Sequence, residues 1–149
     1  MIGEIRDAET FLAALRIGES GHLVITSMHA PTTTAAIKKM AAYVQHSPAD
    51  AQALAGCLVG VLAQALVVGR DQQTSHLAYE LLTVGPETQA AMAAIGNDNA
   101  KNAMDNVEQL LRSGKIKNSI PMFETVMQLV QQGKVDPARG AAVLQSAAD

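Results

Sequence analysis

Two short apolar segments with a helix-forming segment between them constrain the fold of this chain more than any other feature. The first ends near residue 4, and the second, residues 23–27, has the length and apolar character of a buried parallel strand. Between them, residues 8–18 carry apolar side chains at helical spacing, and glycines follow. This strand–helix–strand order predicts an α/β unit.

Both apolar segments are followed by residues suited to nucleotide hydrolysis. Glu4 stands at the end of the first segment, and His29 follows the second. Nucleotide-hydrolysing enzymes place a carboxylate beside the magnesium ion and the attacking water, and a polar residue after the next strand commonly contacts the terminal phosphate. Glu4 and His29 are therefore predicted to belong to the second half of such a site.

The first half of such a site is absent from this sequence. No Gly-x-x-x-x-Gly-Lys-Ser/Thr segment occurs, so no loop of backbone amides wraps the phosphates and no adjacent lysine neutralises them. We therefore expect the chain alone to bind nucleotide poorly or not at all.

Residues 3–7 (Gly-Glu-Ile-Arg-Asp) and 19–29 (Glu-Ser-Gly-His-Leu-Val-Ile-Thr-Ser-Met-His) carry a family resemblance. In order and spacing they resemble the secretion ATPase superfamily, the motors of type II secretion, type IV pili, and type IV secretion or conjugation. The similarity continues, at falling specificity, through residues 36–40, 60–66 and 79–83.

The resemblance implies roles for individual residues. Gly3 and Glu4 would close the Walker B strand, with Glu4 polarising the hydrolytic water, and His29 would match the histidine that contacts the terminal phosphate. Arg6 and Asp7 match an Arg-Asp pair for which a structural ion pair or a subunit contact is expected rather than direct chemistry. ATP and magnesium would bind the intact protein, and no cofactor or other metal is expected for this chain alone.

The sequence departs from two patterns within this family. Retraction-type members carry a motif with two arginines after the last strand, and the matching residues 86–96 contain neither arginine. The four-cysteine zinc loop of many type II secretion ATPases is also absent, since Cys57 is the only cysteine. A divergent pilus, conjugation or type IV secretion motor fits these departures better than a type II one.

The resemblance implies a helix-rich α/β fold in two parts. Residues 1–84 would be the C-terminal part of a RecA-like P-loop ATPase core with few strands, and residues 85–149 a helical subdomain. The sequence itself predicts a helix from about residue 32 to 44, an amphipathic helix over residues 50–66, and two antiparallel strands in 67–82. After residue 86 it predicts only helices, at residues 87–95, 102–113, 122–132 and 137–146.

Composition limits the partners that this chain could bind. Its net charge is −3 and its eleven cations are scattered, which argues against direct nucleic-acid binding. The sequence has no signal peptide and no apolar run long enough to cross a bilayer, so we expect a cytoplasmic protein. The resemblance implies a homo-oligomer, a hexamer in the intact protein, that reaches the inner membrane through pilus or secretion-system proteins.

One further residue pair has a spacing that metal ligands could use. His76 and Glu80 would share one face of a strand. Two ligands do not make a metal site, so we expect a solvated face instead.

Two other interpretations remain open. The chain could be a non-catalytic interaction or oligomerisation module in which residues 23–27 present an unpaired strand edge. It could also be a helical adaptor whose motif matches arise by chance. An upstream sequence that encodes Gly-x-x-x-x-Gly-Lys-Ser/Thr in frame would favour the motor. The choice among pilus assembly, retraction, conjugation and effector secretion depends on partners rather than on chemistry.

Overall fold

The computed structural model describes residues 1–94 and 100–146, and the elements in this part of the chain confirm the predicted helix-rich α/β class. In chain order they are α1 (Ala8–Glu19), α2 (Thr33–Val44), α3 (Pro48–Cys57), β1 (Gly60–Val68), β2 (Ser75–Thr83), α4 (Pro86–Ala93), α5 (Ala100–Arg112), α6 (Met122–Gln131) and α7 (Pro137–Ser146). None of the described helices is long and apolar enough to cross a membrane.

Contacts group these elements into two compact units. The first unit comprises Met1–Ala30, Thr34–Val59 and Val84–Glu108, and the second comprises Pro31–Thr33, Gly60–Thr83 and Gln109–Asp149. The chain thus passes several times between the units, once next to residue 84. We expected a boundary between residues 84 and 85 that separates an ATPase core from a helical subdomain. That division of the chain stays a prediction.

The first unit is a helical layer built from α1 to α4 and the start of α5. Helix α1 begins where predicted because the Asp7 carboxylate accepts a 2.7 Å hydrogen bond from the Thr10 N–H, one of the donors that the first turn leaves unpaired. Phe11 on its buried stripe packs on Tyr43 of α2, with ring centroids 5.4 Å apart. The core of this unit is almost entirely aliphatic and includes Ile37, Val44, Leu54, Met92 and Val107.

Residues 23–27 are extended, but they do not form the buried strand that we predicted. Ser27 forms a single parallel bridge with Glu4, supported by hydrogen bonds from Ile2 N to Ile25 O (2.9 Å) and from Ile5 N to Ser27 O (2.8 Å). Leu23 remains 79% exposed. A buried parallel strand needs neighbouring layers on both faces, and among the described residues only 2–5 pair with this segment.

The second unit is built on a β-hairpin. Strands β1 and β2 pair antiparallel from Gly60↔Thr83 to Val68↔Ser75, and the alternating inward side chains of Ala63, Val67, Ala78 and Leu82 are buried. Helix α6 covers this face together with α7. The apolar cluster between these layers consists of Val67, Ala78, Met122, Val126 and Val135.

The predicted helix over residues 50–66 is wrong beyond Cys57, where α3 ends and the chain turns into β1. Leu58, Leu62 and Leu66 are four residues apart, a spacing that puts side chains on one face of a helix and equally on one face of a strand. The apolar pattern therefore fits both structures, and Leu62 and Leu66 turn out to be exposed on the outer face of the hairpin.

The four helices predicted after residue 86 correspond to α4 to α7, with ends that differ by at most two residues where both are described. Ile95, the predicted last residue of the first of them, lies outside the described residues. Gly114 and Gly133, with φ of 67° and 71°, end α5 and α6 in the left-handed conformation that glycine adopts most easily.

The expectation that His76 and Glu80 lie on a solvated face is wrong. Both face inward from β2 as the spacing predicts, but Glu80 is only 6% exposed. Its Oε1 accepts hydrogen bonds from the N–H (2.9 Å) and Oγ1 (2.7 Å) of Thr33. A buried carboxylate needs such donors, and the spacing along β2 gives no sign of a residue 47 positions away.

Replacing Thr88 with valine is expected to stabilise the protein by about 1 kcal/mol. Thr88 in α4 is fully buried, and its hydroxyl has no hydrogen-bond partner among the residues that the structure describes. Valine has nearly the same shape and helix propensity, so the change removes an unsatisfied polar group without opening a cavity. Urea unfolding followed by circular dichroism measures the effect.

Thr125→Val provides the matched control for Thr88→Val. Thr125 is also buried, but its Oγ1 donates to Tyr79 O (2.7 Å) and accepts from Tyr79 N (3.0 Å). Its valine variant should therefore be less stable than the wild type. Equal losses of stability in both variants would show that the Thr88 hydroxyl is satisfied.

Candidate functional site

The two candidate catalytic residues, Glu4 and His29, lie side by side in the first unit. The parallel bridge between Glu4 and Ser27 aligns the two extended segments, and His29 follows two residues after the bridge. His29 Nε2 lies 3.0 Å from Glu4 Oε1. The Glu4 carboxylate is partly buried, whereas the His29 side chain is 92% exposed and can turn away without leaving a cavity.

Arg6 holds the other carboxylate oxygen of Glu4. Its Nε donates to Glu4 Oε2 at 2.9 Å, and its Nη2 lies 2.7 Å from the same oxygen. Arg6 thus forms an ion pair with Glu4, while the structural ion pair or subunit contact expected of the Arg6 and Asp7 positions stays a prediction. The sequence carried the signal, because residues two apart in an extended segment share a face, whereas neighbours point to opposite faces.

These contacts set the charge of the site. The hydrogen bond from Arg6 is the main cause that lowers the pKa of Glu4. The positive charges of Arg6 and Lys39, and that of His29 when it is protonated, act in the same direction. The hydrogen bond to Glu4 and the negative charge of Glu4 in turn raise the pKa of Arg6. Glu4 is therefore an ionised carboxylate at neutral pH, a hydrogen-bond acceptor suited to orienting water.

Gly3 and Asp7 contribute to the frame around Glu4. Ser27 Oγ donates a 2.6 Å hydrogen bond to Gly3 O, which ties the two segments together a second time. Asp7 caps α1, and hydrogen bonding from the Thr10 backbone lowers the pKa of Asp7. Asp7 therefore fixes the start of the helix after the site and has no described contact with Glu4 or His29.

Two contributors to this site, Ser27 and Lys39, are absent from the sequence prediction. Ser27 is the polar residue that ends the second apolar segment. That position was a usable signal for a residue of the site. Lys39 reaches the site from α2, where its Nζ donates to His29 O at 3.4 Å. No local pattern identifies Lys39, because its neighbour Lys38 offers the same charge one position earlier.

The donor set of this site fits the magnesium and γ-phosphate side of a nucleotide site in part. Magnesium is commonly bound by one or two carboxylates together with substrate phosphates, and Glu4 supplies one ionised carboxylate. Within the described ranges no three His, Cys, Asp or Glu side chains cluster as ligands of a metal ion. The described residues of this site therefore offer one ionised carboxylate and one exposed imidazole.

Comparison with known proteins identifies relatives along most of the chain. A family profile described as "Type II/IV secretion system protein" matches residues 1–138. The twitching motility protein of Neisseria gonorrhoeae is 29% identical over 142 residues, which cover 92% of this chain and 35% of that protein. The chain thus spans about a third of the length of this relative.

Two solved structures share the fold. The Legionella pneumophila ATPase DotB superposes with a TM-score of 0.80 at 19% identity, over 97% of this chain and 38% of that one. The pilus retraction motor PilT with bound ADP gives a TM-score of 0.75 at 25% identity, over 95% of this chain and 38% of that one. Since the family profile covers residues 1–138, the chain belongs to the type II/IV secretion system protein family.

Proposed function

We propose that this chain supplies the water-activating and phosphate-sensing side of an ATP-hydrolysing motor for a type IV pilus, conjugation or type IV secretion. The observation that carries the proposal is the 3.0 Å contact between Glu4 Oε1 and His29 Nε2, at the ends of two paired extended segments. A carboxylate and an imidazole placed together in this way can bind the attacking water and the terminal phosphate of one nucleotide.

Each residue has a distinct part in this proposal. Glu4 accepts a hydrogen bond from the attacking water, and Arg6 keeps its carboxylate ionised and fixed in direction. His29 is exposed, so its ring can leave Glu4 and donate Nε2–H to a phosphate oxygen. ATP with magnesium, when bound, supplies the phosphoryl group and neutralises its charge. Positioning and charge stabilisation account for catalysis of this kind.

The wider assembly is part of the proposal. We infer that the intact protein is a homo-oligomer, a hexamer, located in the cytoplasm and attached to the inner membrane through pilus or secretion-system proteins. The names of the relatives support this inference, since they include a twitching motility protein and a pilus retraction motor. Because this sequence has no phosphate-binding loop, we also propose that the chain alone does not turn over ATP.

Calorimetry with ATP and magnesium tests the proposed function. It compares this chain with a form extended upstream through an in-frame Gly-x-x-x-x-Gly-Lys-Ser/Thr segment, each carrying Glu4→Gln to block turnover. We expect the extended form to bind ATP and the chain alone to bind more weakly than about 1 mM. An extended form with the loop lysine replaced is the control and should lose binding.

Two results would contradict the motor. If neither form binds ATP, the interaction module becomes the better interpretation. If the chain alone binds as tightly as the extended form, its phosphate-binding groups lie elsewhere than proposed.

A further inference from the structure

We propose that Lys39 is a positioning residue that holds the backbone of His29 in place, so that the ring can reach both Glu4 and a phosphate oxygen. The observation is the hydrogen bond from Lys39 Nζ to the backbone oxygen of His29, at 3.4 Å. This contact fixes the backbone from which the imidazole reaches 3.0 Å to Glu4. The inference rests on the proposed function, because it deepens the part that His29 has in it.

His29 needs such support because of where it lies. It belongs to the irregular segment between the Ser27 bridge and the start of α2, and its side chain is almost fully exposed. An exposed side chain on an irregular segment has several rotamers and backbone conformations available. A catalytic group must be held within a fraction of an ångström of its working position, so a contact to a rigid element has a direct use.

Lys39 is carried by a rigid element. Helix α2 is anchored in the first unit by the buried side chains of Ala36, Ile37 and Met40, which surround Lys39 in sequence. Lys39 itself is half-buried, so its stem has less freedom than that of a fully exposed lysine. Its charge also acts on Glu4, whose pKa it lowers in addition to the larger effect of Arg6.

The neighbouring lysine has a different set of contacts and provides a matched control. Lys38 Nζ lies 3.1 Å from Asp105 Oδ1 and 3.7 Å from Glu108 Oε2, both on α5. Lys38 is thus directed to α5 and away from the contact that Lys39 makes with His29. Removing its charge changes the total charge of α2 by the same amount as removing that of Lys39.

NMR of the 149-residue chain tests the inference without nucleotide. The ring 1H and 15N chemical shifts of His29 are compared at pH 7 in the wild type, Lys39→Met, Lys39→Arg and Lys38→Met. Methionine keeps most of the lysine stem, so the fold is retained and only the charged donor is lost. We expect the His29 signals to move in Lys39→Met, to return in Lys39→Arg, and to stay in place in Lys38→Met.

Unchanged His29 signals in Lys39→Met would overturn the inference, and so would an equal change in Lys38→Met. A second readout uses the extended, loop-bearing form. There Lys39→Met should lower kcat about 10-fold and leave the KM for ATP within about twofold, because a displaced His29 weakens transition-state contacts more than ground-state binding. If that form hydrolyses no ATP at all, the proposed function fails, while the NMR result still decides whether Lys39 positions His29.

Discussion

In a form of this protein that carries a phosphate-binding loop, Glu4→Gln is expected to lower the kcat for ATP hydrolysis by roughly 100- to 10,000-fold, the range usual for the loss of an acid–base group. Glutamine keeps the length of the side chain and one acceptor oxygen, but it has no charge and cannot take a proton from water. Arg6 would also lose the ionised partner that now accepts its hydrogen bond. ATP binding, measured by calorimetry, should be retained.

The control for Glu4→Gln is Glu9→Gln. Glu9 is an exposed carboxylate in the first turn of α1, five residues from Glu4, and its neutralisation changes the net charge by the same amount. Glu9→Gln should leave kcat within about twofold of the wild type. A Glu4→Gln variant with wild-type kcat would remove Glu4 from the mechanism, and parallel losses in both variants would indicate a general effect of charge.

The part of the fold that local patterns determine could be predicted from the sequence. Helix α1 was predicted from its apolar stripe and from Gly18 and Gly21 at its end, and these signals lie within one short stretch of the chain. The second strand of the hairpin and the turn before it were predicted, but the first strand was placed at residues 67–70 and overlaps β1 (Gly60–Val68) only at its end. Within that turn, the Asp71 carboxylate accepts hydrogen bonds from the backbone of Gln73 and Thr74.

The part that depends on tertiary context could not be predicted. Apolar residues four apart satisfy both a helix and a strand, so the change from α3 to β1 is invisible to periodicity. The burial of residues 23–27 depends on which layers cover them, and that is a property of the surroundings and not of the segment. In the site, the positions of Glu4 and His29 follow from the ends of two segments, while their catalytic roles stay a prediction.

Glu80→Met is expected to destabilise the protein by about 2 to 4 kcal/mol, because it leaves two buried donors without an acceptor. Both the N–H and the Oγ1 of Thr33 donate to Glu80 Oε1, and Thr33 is 0% exposed. Thr33 is the first residue of α2, so its N–H has no acceptor within the helix. Methionine fills nearly the same volume, so the loss measures hydrogen bonding rather than a cavity.

Two further variants separate the hydrogen bonds of Glu80 from its burial. Glu80→Gln keeps an oxygen that can accept from both donors of Thr33, so its loss of stability in urea should be smaller than that of Glu80→Met. Thr33→Val removes the hydroxyl but keeps the N–H, and combined with Glu80→Met it should cost less than the sum of the two single changes. Additive losses, or a methionine variant as stable as the glutamine variant, would show that Thr33 does not depend on the Glu80 carboxylate. Glu80, which we expected on a solvated face, would then stabilise the second unit by packing alone.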